Sequence, residues 1–162
     1  MTQRILILGV TGMLGYALLR ELSIVHGLDV FGTVRESTSG NDEAFAQFNS
    51  KLSTGIDARN VASVREVVER IHPDVVINCI GVIKQLPAAT DPISTIAINS
   101  LFPHLLAEVC RTNDVRLIHV STDCVFSGHR GGYSEVDIPD PPNSQVRVRH
   151  LPDKFHFSGR DK

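Results

Sequence analysis

The feature that most constrains the fold is a glycine-rich segment between a short apolar run and an amphipathic stretch. Residues 9–15 read GVTGMLG, with glycines at GxxGxxG spacing, and follow the apolar run ILIL at residues 5–8. Beyond the glycines, apolar residues recur on one face of a helix; these are Met13, Leu14, Ala17, Leu18 and Leu22. The pattern predicts a buried strand, a tight turn and a helix.

A strand, tight turn and helix in this order are suited to binding a pyrophosphate. Glycine permits the turn, lets the backbone approach the phosphates and lets the helix pack close to the strand, while the first helical N–H groups face the anion. We therefore predict that a dinucleotide binds here; the candidate residues are Gly9, Thr11, Gly12, Met13, Leu14 and Gly15. A tight turn without a ligand is the alternative interpretation.

The rest of the chain alternates apolar runs with amphipathic stretches, which is typical of βαβ units. Further strands are predicted at residues 29–34, 52–57, 75–77 and 115–120. Helices are predicted at residues 61–71 and 93–111, the second interrupted or bent near Pro103. The predicted fold is α/β, a Rossmann-like doubly wound parallel sheet of about five strands.

Composition excludes several classes of protein. The 162 residues carry 16 Lys and Arg against 18 Asp and Glu, and no apolar run approaches the length of a membrane span. We therefore expect a cytoplasmic protein that binds neither nucleic acid nor a membrane.

The cysteines Cys79, Cys110 and Cys124 form no CxxC pair, so free thiols and no metal site are predicted.

The end of the chain differs from its body in charge. Residues 143–162 contain five Lys or Arg against two Asp. We predict a dinucleotide-binding domain over residues 1–142, followed by a basic tail, residues 143–162, that is poorly ordered.

The residue after the second predicted strand bears on the choice of cofactor. NAD enzymes usually place Asp or Glu about 20 residues past the glycine segment, where it binds the ribose hydroxyls. Here the strand ends in Arg35 instead, with Ser37 and Thr38 beyond it. A guanidinium at this place favours NADP(H) over NAD(H), because it can bind the 2′-phosphate through two hydrogen bonds. An exposed arginine at a strand end is the alternative.

Two segments resemble a known family. The glycine segment resembles the cofactor loop of extended short-chain dehydrogenases/reductases. The longer segment IHVSTDCVFSG at residues 118–128, with GYSE at 132–135 and DPPN at 140–143, is similar to dTDP-4-dehydrorhamnose reductases. The resemblance covers about residues 3–144. It implies NAD(P)H-dependent reduction of a 4-keto deoxysugar nucleotide.

The resemblance also implies roles for single residues. Thr122 corresponds to the hydroxyl that hydrogen-bonds the substrate carbonyl, and is the candidate catalytic residue. Asp57 corresponds to the acidic residue beside the adenine, with Ala58 next to it as a cofactor-binding residue. Ile80 and Gly81 correspond to the loop whose backbone passes the cofactor.

The sequence departs from this family in one catalytic motif. The family carries Tyr-x-x-x-Lys, whereas an ungapped alignment puts Gln145 and Arg149 at these two positions. We therefore expect the cofactor-binding portion of such a reductase, truncated before the family's C-terminal strands and substrate domain and catalytically incomplete as written. A nucleotide-sugar substrate would bind only where a C-terminal half is supplied. A non-catalytic dinucleotide-binding regulatory subunit or sensor is the alternative, and self-association through an uncovered sheet edge is expected.

Overall fold

The computed structural model describes residues 2–36, 43–82, 91–121, 126–134, 136–138 and 140. Its contacts form two compact units. The first comprises Met1–Ile80 and Phe102–Val120, and the second comprises Gly81–Leu101 and Ser121–Lys162. The predicted boundary at residue 142 lies outside the described residues and stays a prediction.

The first unit contains a five-stranded parallel sheet. Its strands are β1 (Gln3–Leu8), β2 (Leu28–Thr33), β3 (Leu52–Ser53), β4 (Val75–Asn78) and β5 (Arg116–His119). Their spatial order is β3-β2-β1-β4-β5. This order, in which the chain reverses direction across the sheet at β1, is that of a doubly wound fold. The predicted α/β class and strand number are confirmed.

Helices connect these strands. They are α1 (Met13–Ser23), α2 (Glu43–Ala46), α3 (Val61–Ile71), α4 (Pro92–Ile96) and α5 (Phe102–Thr112), with a 3₁₀ turn at Asn49–Lys51. All belong to the first unit except α4.

The core of the first unit surrounds β1, which is buried on both faces. Ile5 and Ile7 belong to a cluster with Leu19 of α1. Leu6 and Leu8 alternate with them and therefore point to the opposite face, where α3 and α5 contact each other. The helices thus cover both faces of the sheet and leave its carboxyl end to the connecting turns.

The prediction of β3 over residues 52–57 is wrong beyond Ser53. Gly55 has φ +77, so the chain turns away from the strand direction. The segment nevertheless stays beside β2, since the amide of Ile56 donates to the carbonyl of Val34 at 3.2 Å. The other strand bounds differ from prediction by one or two residues.

Near Pro103 the predicted helix is interrupted by a π-helical turn at Ala97–Leu101, directly before α5. Pro103 lacks an N–H, and its ring would collide in an α-helix with the carbonyl four residues earlier, so a wider turn relieves the contact. Among the described residues, the stretch Pro92–Thr112 is long and apolar enough to span a membrane, but core helices of soluble proteins pass the same test.

Side-chain hydrogen bonds, a ring stack and an ion pair join described residues within the second unit. The amide group of Asn99 accepts from the N–H of Val82 at 2.8 Å and donates to its carbonyl at 2.9 Å. Farther along the chain, the ring of Tyr133 stacks on Phe126 with centroids 4.4 Å apart. Arg130 forms an ion pair with Asp137, and together with hydrogen bonds from Ser134 it lowers the pKa of that carboxyl to about 2.

Candidate functional site

The three glycines of the predicted turn differ in what a side chain would meet there. Gly9 has φ +83, a conformation that other residues rarely adopt. A Cβ on Gly15 would overlap the carbonyl oxygen of Gly9, so α1 could not lie as close to β1. A Cβ on Gly12 would meet only that oxygen, at 3.5 Å, and otherwise point into open space. The turn therefore has the geometry that the spacing predicted.

The amino end of α1 presents free backbone donors. Gly12 is the N-cap, no side-chain cap is found among the described residues, and the first turn contains no acidic residue. Tyr16 is the first residue whose N–H donates within the helix, to the carbonyl of Gly12 at 2.9 Å. The N–H groups of Met13, Leu14 and Gly15 thus have no intrahelical acceptor, and the helix dipole adds positive potential. This end of α1 fits a pyrophosphate.

Thr33, at the end of β2, holds the turn in place. It is fully buried, and its Oγ1 accepts from the N–H of Gly9 at 3.2 Å while its carbonyl accepts from the N–H of Val10 at 3.1 Å. The sequence analysis gave Thr33 no role. Its place in the sequence, a hydroxyl residue at the carboxyl end of a buried apolar strand, could have indicated such a role.

A second buried polar residue supports the loop after β4. Asn78 is fully buried; its Oδ1 accepts from the N–H of Ile80 at 3.0 Å, which leaves its Nδ2 to donate to Nδ1 of His119 at 3.1 Å. Burial lowers the pKa of His119, which favours the neutral ring that this hydrogen bond needs. A Cβ on Gly9 would lie 2.8 Å from Cγ1 of Ile80, so this loop borders the glycine turn.

The charged candidates lie beyond β2 and β3. Backbone hydrogen bonds join the two segments, from the N–H of Val34 to the carbonyl of Ser53 at 2.9 Å and from Ile56 back to Val34. Arg35 forms an exposed ion pair with Glu36 at 3.6 Å. Asp57 lies close enough to Arg35 for that charge to contribute to lowering the pKa of its carboxyl.

Asp57 has a partner that the sequence analysis missed. Nη2 of Arg59 lies 2.6 Å from Oδ2 of Asp57, and this hydrogen bond is the main cause of the lowered pKa of the carboxyl. Ala58, between them, is buried. Pairing between charges two residues apart leaves no distinctive sequence pattern, which explains the omission.

Not every predicted residue lies in this region. Gly81 belongs to the second unit, where a Cβ would lie 3.4 Å from Oδ1 of Asn99. The candidate catalytic residue Thr122 lies outside the described residues, as do Ser37, Thr38, Cys124, Gln145 and Arg149. Cys79 and Cys110 are free thiols, as predicted, and burial raises the pKa of both.

A cavity of about 560 Å³ lies elsewhere in the first unit. Arg4, Lys51 and Arg70 line it, and it contains none of the predicted site residues. Arg4 lies near the amino end of β1, whereas the glycine turn follows the carboxyl end of that strand.

Comparison with known proteins relates this arrangement to sugar-nucleotide reductases. The profile of a family described as "RmlD substrate binding domain" matches residues 3–154. The chain is 31% identical over 150 residues to the dTDP-4-keto-6-deoxy-D-glucose reductase of Streptomyces niveus, covering 92% of this chain and 46% of that protein. It is 31% identical over 134 residues to the probable low-salt glycan biosynthesis reductase Agl14 of Haloferax volcanii, covering 82% and 42%. The chain thus spans about half the length of the curated relatives it matches.

Solved structures agree with these relatives. The dTDP-4-dehydrorhamnose reductase of Bacillus anthracis, in complex with NADP, matches with a TM-score of 0.71 at 27% identity, covering 92% of this chain and 47% of that one. The ADP-L-glycero-D-manno-heptose-6-epimerase of Helicobacter pylori matches with a TM-score of 0.76 at 18% identity, covering 91% and 48%. The second likeness concerns the fold alone.

Proposed function

Because this chain belongs to the RmlD substrate-binding-domain family of dTDP-4-dehydrorhamnose reductase-like sugar-nucleotide reductases, we propose that its first unit binds NADP(H) at the glycine turn. The observation that carries the proposal is the free amino end of α1 beside three glycines, of which Gly9 has a conformation unsuited to a side chain and Gly15 has no room for one. That this family uses NAD(P)H agrees with the NADP present in the Bacillus anthracis relative.

Each group of candidate residues is proposed to bind a different part of the dinucleotide. The backbone of residues 9–15 binds the pyrophosphate, with Thr11, Met13 and Leu14 contributing amides. Asp57 and Ala58 lie beside the adenine. The backbone at Ile80 and Gly81 passes the nicotinamide half.

Arg35 is proposed to make NADP(H) the preferred cofactor. The Arg35 side chain is 64% exposed and that of its partner Glu36 is 84% exposed, so a 2′-phosphate can replace the weak 3.6 Å ion pair. We expect Arg35→Ala to weaken NADPH binding about tenfold and to leave NADH binding nearly unchanged. Fluorescence titration with both cofactors measures this. Arg20→Ala, which removes an exposed pair with Glu21 on α1, is the control.

An equal affinity of Arg35→Ala and the wild-type chain for NADPH would contradict this role of Arg35. Failure of the wild-type chain to bind either cofactor would contradict the proposed function as a whole.

The proposed role in reduction is that of a cofactor-binding portion that is catalytically incomplete. When bound, NADPH supplies a hydride for a carbonyl carbon. Thr122 is proposed to donate a hydrogen bond to the carbonyl oxygen, where negative charge develops. A proton donor of the Tyr-x-x-x-Lys type is absent from the sequence, because Arg20 and Asp137 stand four residues after its two tyrosines, Tyr16 and Tyr133.

Both tyrosines also have other contacts. The ring of Tyr16 packs on Phe45, with centroids 5.3 Å apart, and the hydroxyl of Tyr133 lies 3.2 Å from Oγ of Ser127.

Loss of a general acid commonly slows a reaction by about 10²- to 10⁴-fold. We therefore expect no oxidation of NADPH, followed by its absorbance, when the chain is mixed with a dTDP-4-keto-6-deoxy sugar. Turnover at the rate of a complete reductase would contradict this part of the proposal.

The other predictions about the whole protein stay predictions. They are the cytoplasmic location, self-association through the sheet edge and the need for a C-terminal half to bind a nucleotide sugar. None of the relatives named above is a regulatory subunit, so the comparisons do not support that alternative.

A further inference from the structure

The carboxylate of Asp57 is fully engaged by a single arginine. Nη2 of Arg59 lies 2.6 Å from Oδ2 of Asp57, and Nε of Arg59 lies 3.2 Å from each carboxylate oxygen. Such a bidentate pair holds both groups in one geometry and cancels their charges locally. The Asp57 side chain is only 25% exposed, so solvent screens this pair less than it screens the Arg35–Glu36 pair.

The turn that contains these residues does not need the guanidinium. The N–H of Asn60 donates to the carbonyl of Asp57 at 2.9 Å, and the N–H of Arg59 donates to its Oδ1 at 2.9 Å. The N–H of Asp57 in turn donates to Oγ of Ser63 at 3.3 Å. These three hydrogen bonds close the turn before α3 with backbone groups, the Ser63 hydroxyl and the Asp57 carboxylate, without the guanidinium. What the guanidinium of Arg59 adds to the turn is a positive charge paired with the Asp57 carboxylate.

This pairing concerns charge at the place where the two cofactors differ. An unpaired carboxylate close to the 2′ position favours a free ribose hydroxyl and repels a 2′-phosphate. Asp57 lies near Arg35, the residue proposed to bind that phosphate, because their segments are joined by hydrogen bonds between Val34 and both Ser53 and Ile56. Without Arg59, the carboxylate of Asp57 would compete for Arg35 and oppose the phosphate.

We propose that Arg59 is a positioning residue for cofactor specificity, which neutralises and immobilises Asp57 so that Arg35 can bind the 2′-phosphate. The inference rests on the proposed function, since it assumes that NADP(H) binds beside Arg35. Arg59 acts through Asp57 and needs no contact with the phosphate. From the sequence, Arg35 alone was expected to favour NADP(H). The inference adds the charges of Asp57 and Arg59 to that of Arg35.

The test compares dissociation constants for NADPH and NADH at low ionic strength, measured by isothermal titration. Arg59→Ala should weaken NADPH binding roughly threefold to tenfold, which is the size expected of a single partly exposed charge. NADH binding should stay the same or become tighter. Arg111→Ala is the matched control, because Arg111 forms a bidentate pair with Glu108 at 2.6 and 2.9 Å on α5.

A second variant separates an effect through Asp57 from a direct contact. In the double variant Asp57→Asn/Arg59→Ala the repelling charge is removed, so the ratio of NADPH to NADH affinity should return to the wild-type ratio. Arg59→Lys should restore the ratio partly, because lysine supplies the charge without the bidentate geometry.

Three results would overturn the inference while the proposed function stands. They are an unchanged NADPH preference in Arg59→Ala, an equal weakening of both cofactors, and a double variant that stays as poor as Arg59→Ala. The last would mean that Arg59 contacts the phosphate itself. A wild-type chain that binds neither cofactor would overturn the proposed function and this inference together.

Discussion

The two ends of the candidate cofactor site are built on different physical principles. At the glycine turn, backbone groups and close packing determine the geometry, and a Cβ on Gly15 would overlap the carbonyl of Gly9. Beyond β2 and β3, the site consists of exposed or partly exposed charges. Arg35 pairs with Glu36, and Arg59 pairs with Asp57. The first end binds what all dinucleotides share. The second end therefore carries the discrimination between them, and it can change without disturbing the fold.

The largest effect is expected from Gly15→Ala. The new methyl group overlaps backbone atoms of Gly9 and Val10, which cannot move without separating α1 from β1. We expect the free energy of unfolding to fall by about 3 kcal/mol, and cofactor binding to be lost with it. Urea denaturation followed by circular dichroism measures the first effect.

Gly12→Ala is the matched change within the same turn. Its φ is −79, and a Cβ there would meet only the carbonyl of Gly9 at 3.5 Å, so stability should be nearly unchanged. The methyl group would nevertheless stand where the pyrophosphate approaches, so NADPH and NADH should both bind more weakly. We assign Gly15 to the packing of α1 against β1 and Gly12 to the approach of the pyrophosphate. Equal losses of stability in Gly12→Ala and Gly15→Ala would contradict this assignment.

Asn78→Ala tests the glycine-turn end of the site through the loop after β4, which borders that turn. The substitution leaves the N–H of Ile80 and Nδ1 of His119 without their buried partner. An unsatisfied buried polar group costs about 2 kcal/mol, so the urea midpoint should fall accordingly. Both cofactors should lose affinity by the same factor, because this loop borders the shared part of the site. A selective loss of NADPH binding would contradict the division into two ends.

The sequence predicted the first end far better than the second. The positions of Gly9, Gly12 and Gly15 followed from spacing, because a tight turn between a strand and a closely packed helix requires glycine at Gly9 and Gly15 and favours it at Gly12, where a ligand would approach. The supports Thr33 and Asn78 were missed, since their hydrogen bonds depend on which strands become neighbours. Arg59 was missed for a further reason. Pairing with Asp57 depends on a turn that begins at Gly55, where a continuous strand was predicted.

A smaller effect is expected from the pH dependence of stability. Burial lowers the pKa of His119 in the folded state below its ordinary value of 6.5, so the unfolded chain binds the proton more readily. Stability is therefore greatest above pH 6.5 and decreases as the pH falls through 6.5 toward the lower folded-state pKa. Urea midpoints between pH 7.5 and about 5.5 measure this decrease. His119→Gln should reduce the dependence of the urea midpoint on pH. An unchanged dependence would mean that other groups cause the decrease in stability.

The smallest effect is expected from salt. Exposed charges are screened within about 8 Å at physiological ionic strength, whereas the hydrogen bonds of the glycine turn are shared by both cofactors. Raising NaCl should therefore reduce the ratio of NADPH to NADH affinity by about twofold to threefold. A ratio independent of salt would mean that buried contacts determine the preference.

Titration of the ¹⁵N-labelled chain with NADPH, followed by amide chemical shifts, shows whether the dinucleotide binds at the glycine turn and along the neighbouring charges. We expect shifts at Thr11, Gly12, Met13, Arg35 and Ile80, and none around Arg4, Lys51 and Arg70, which line the separate cavity. Shifts confined to that cavity, or no shifts at all, would mean that the dinucleotide does not bind at the glycine turn.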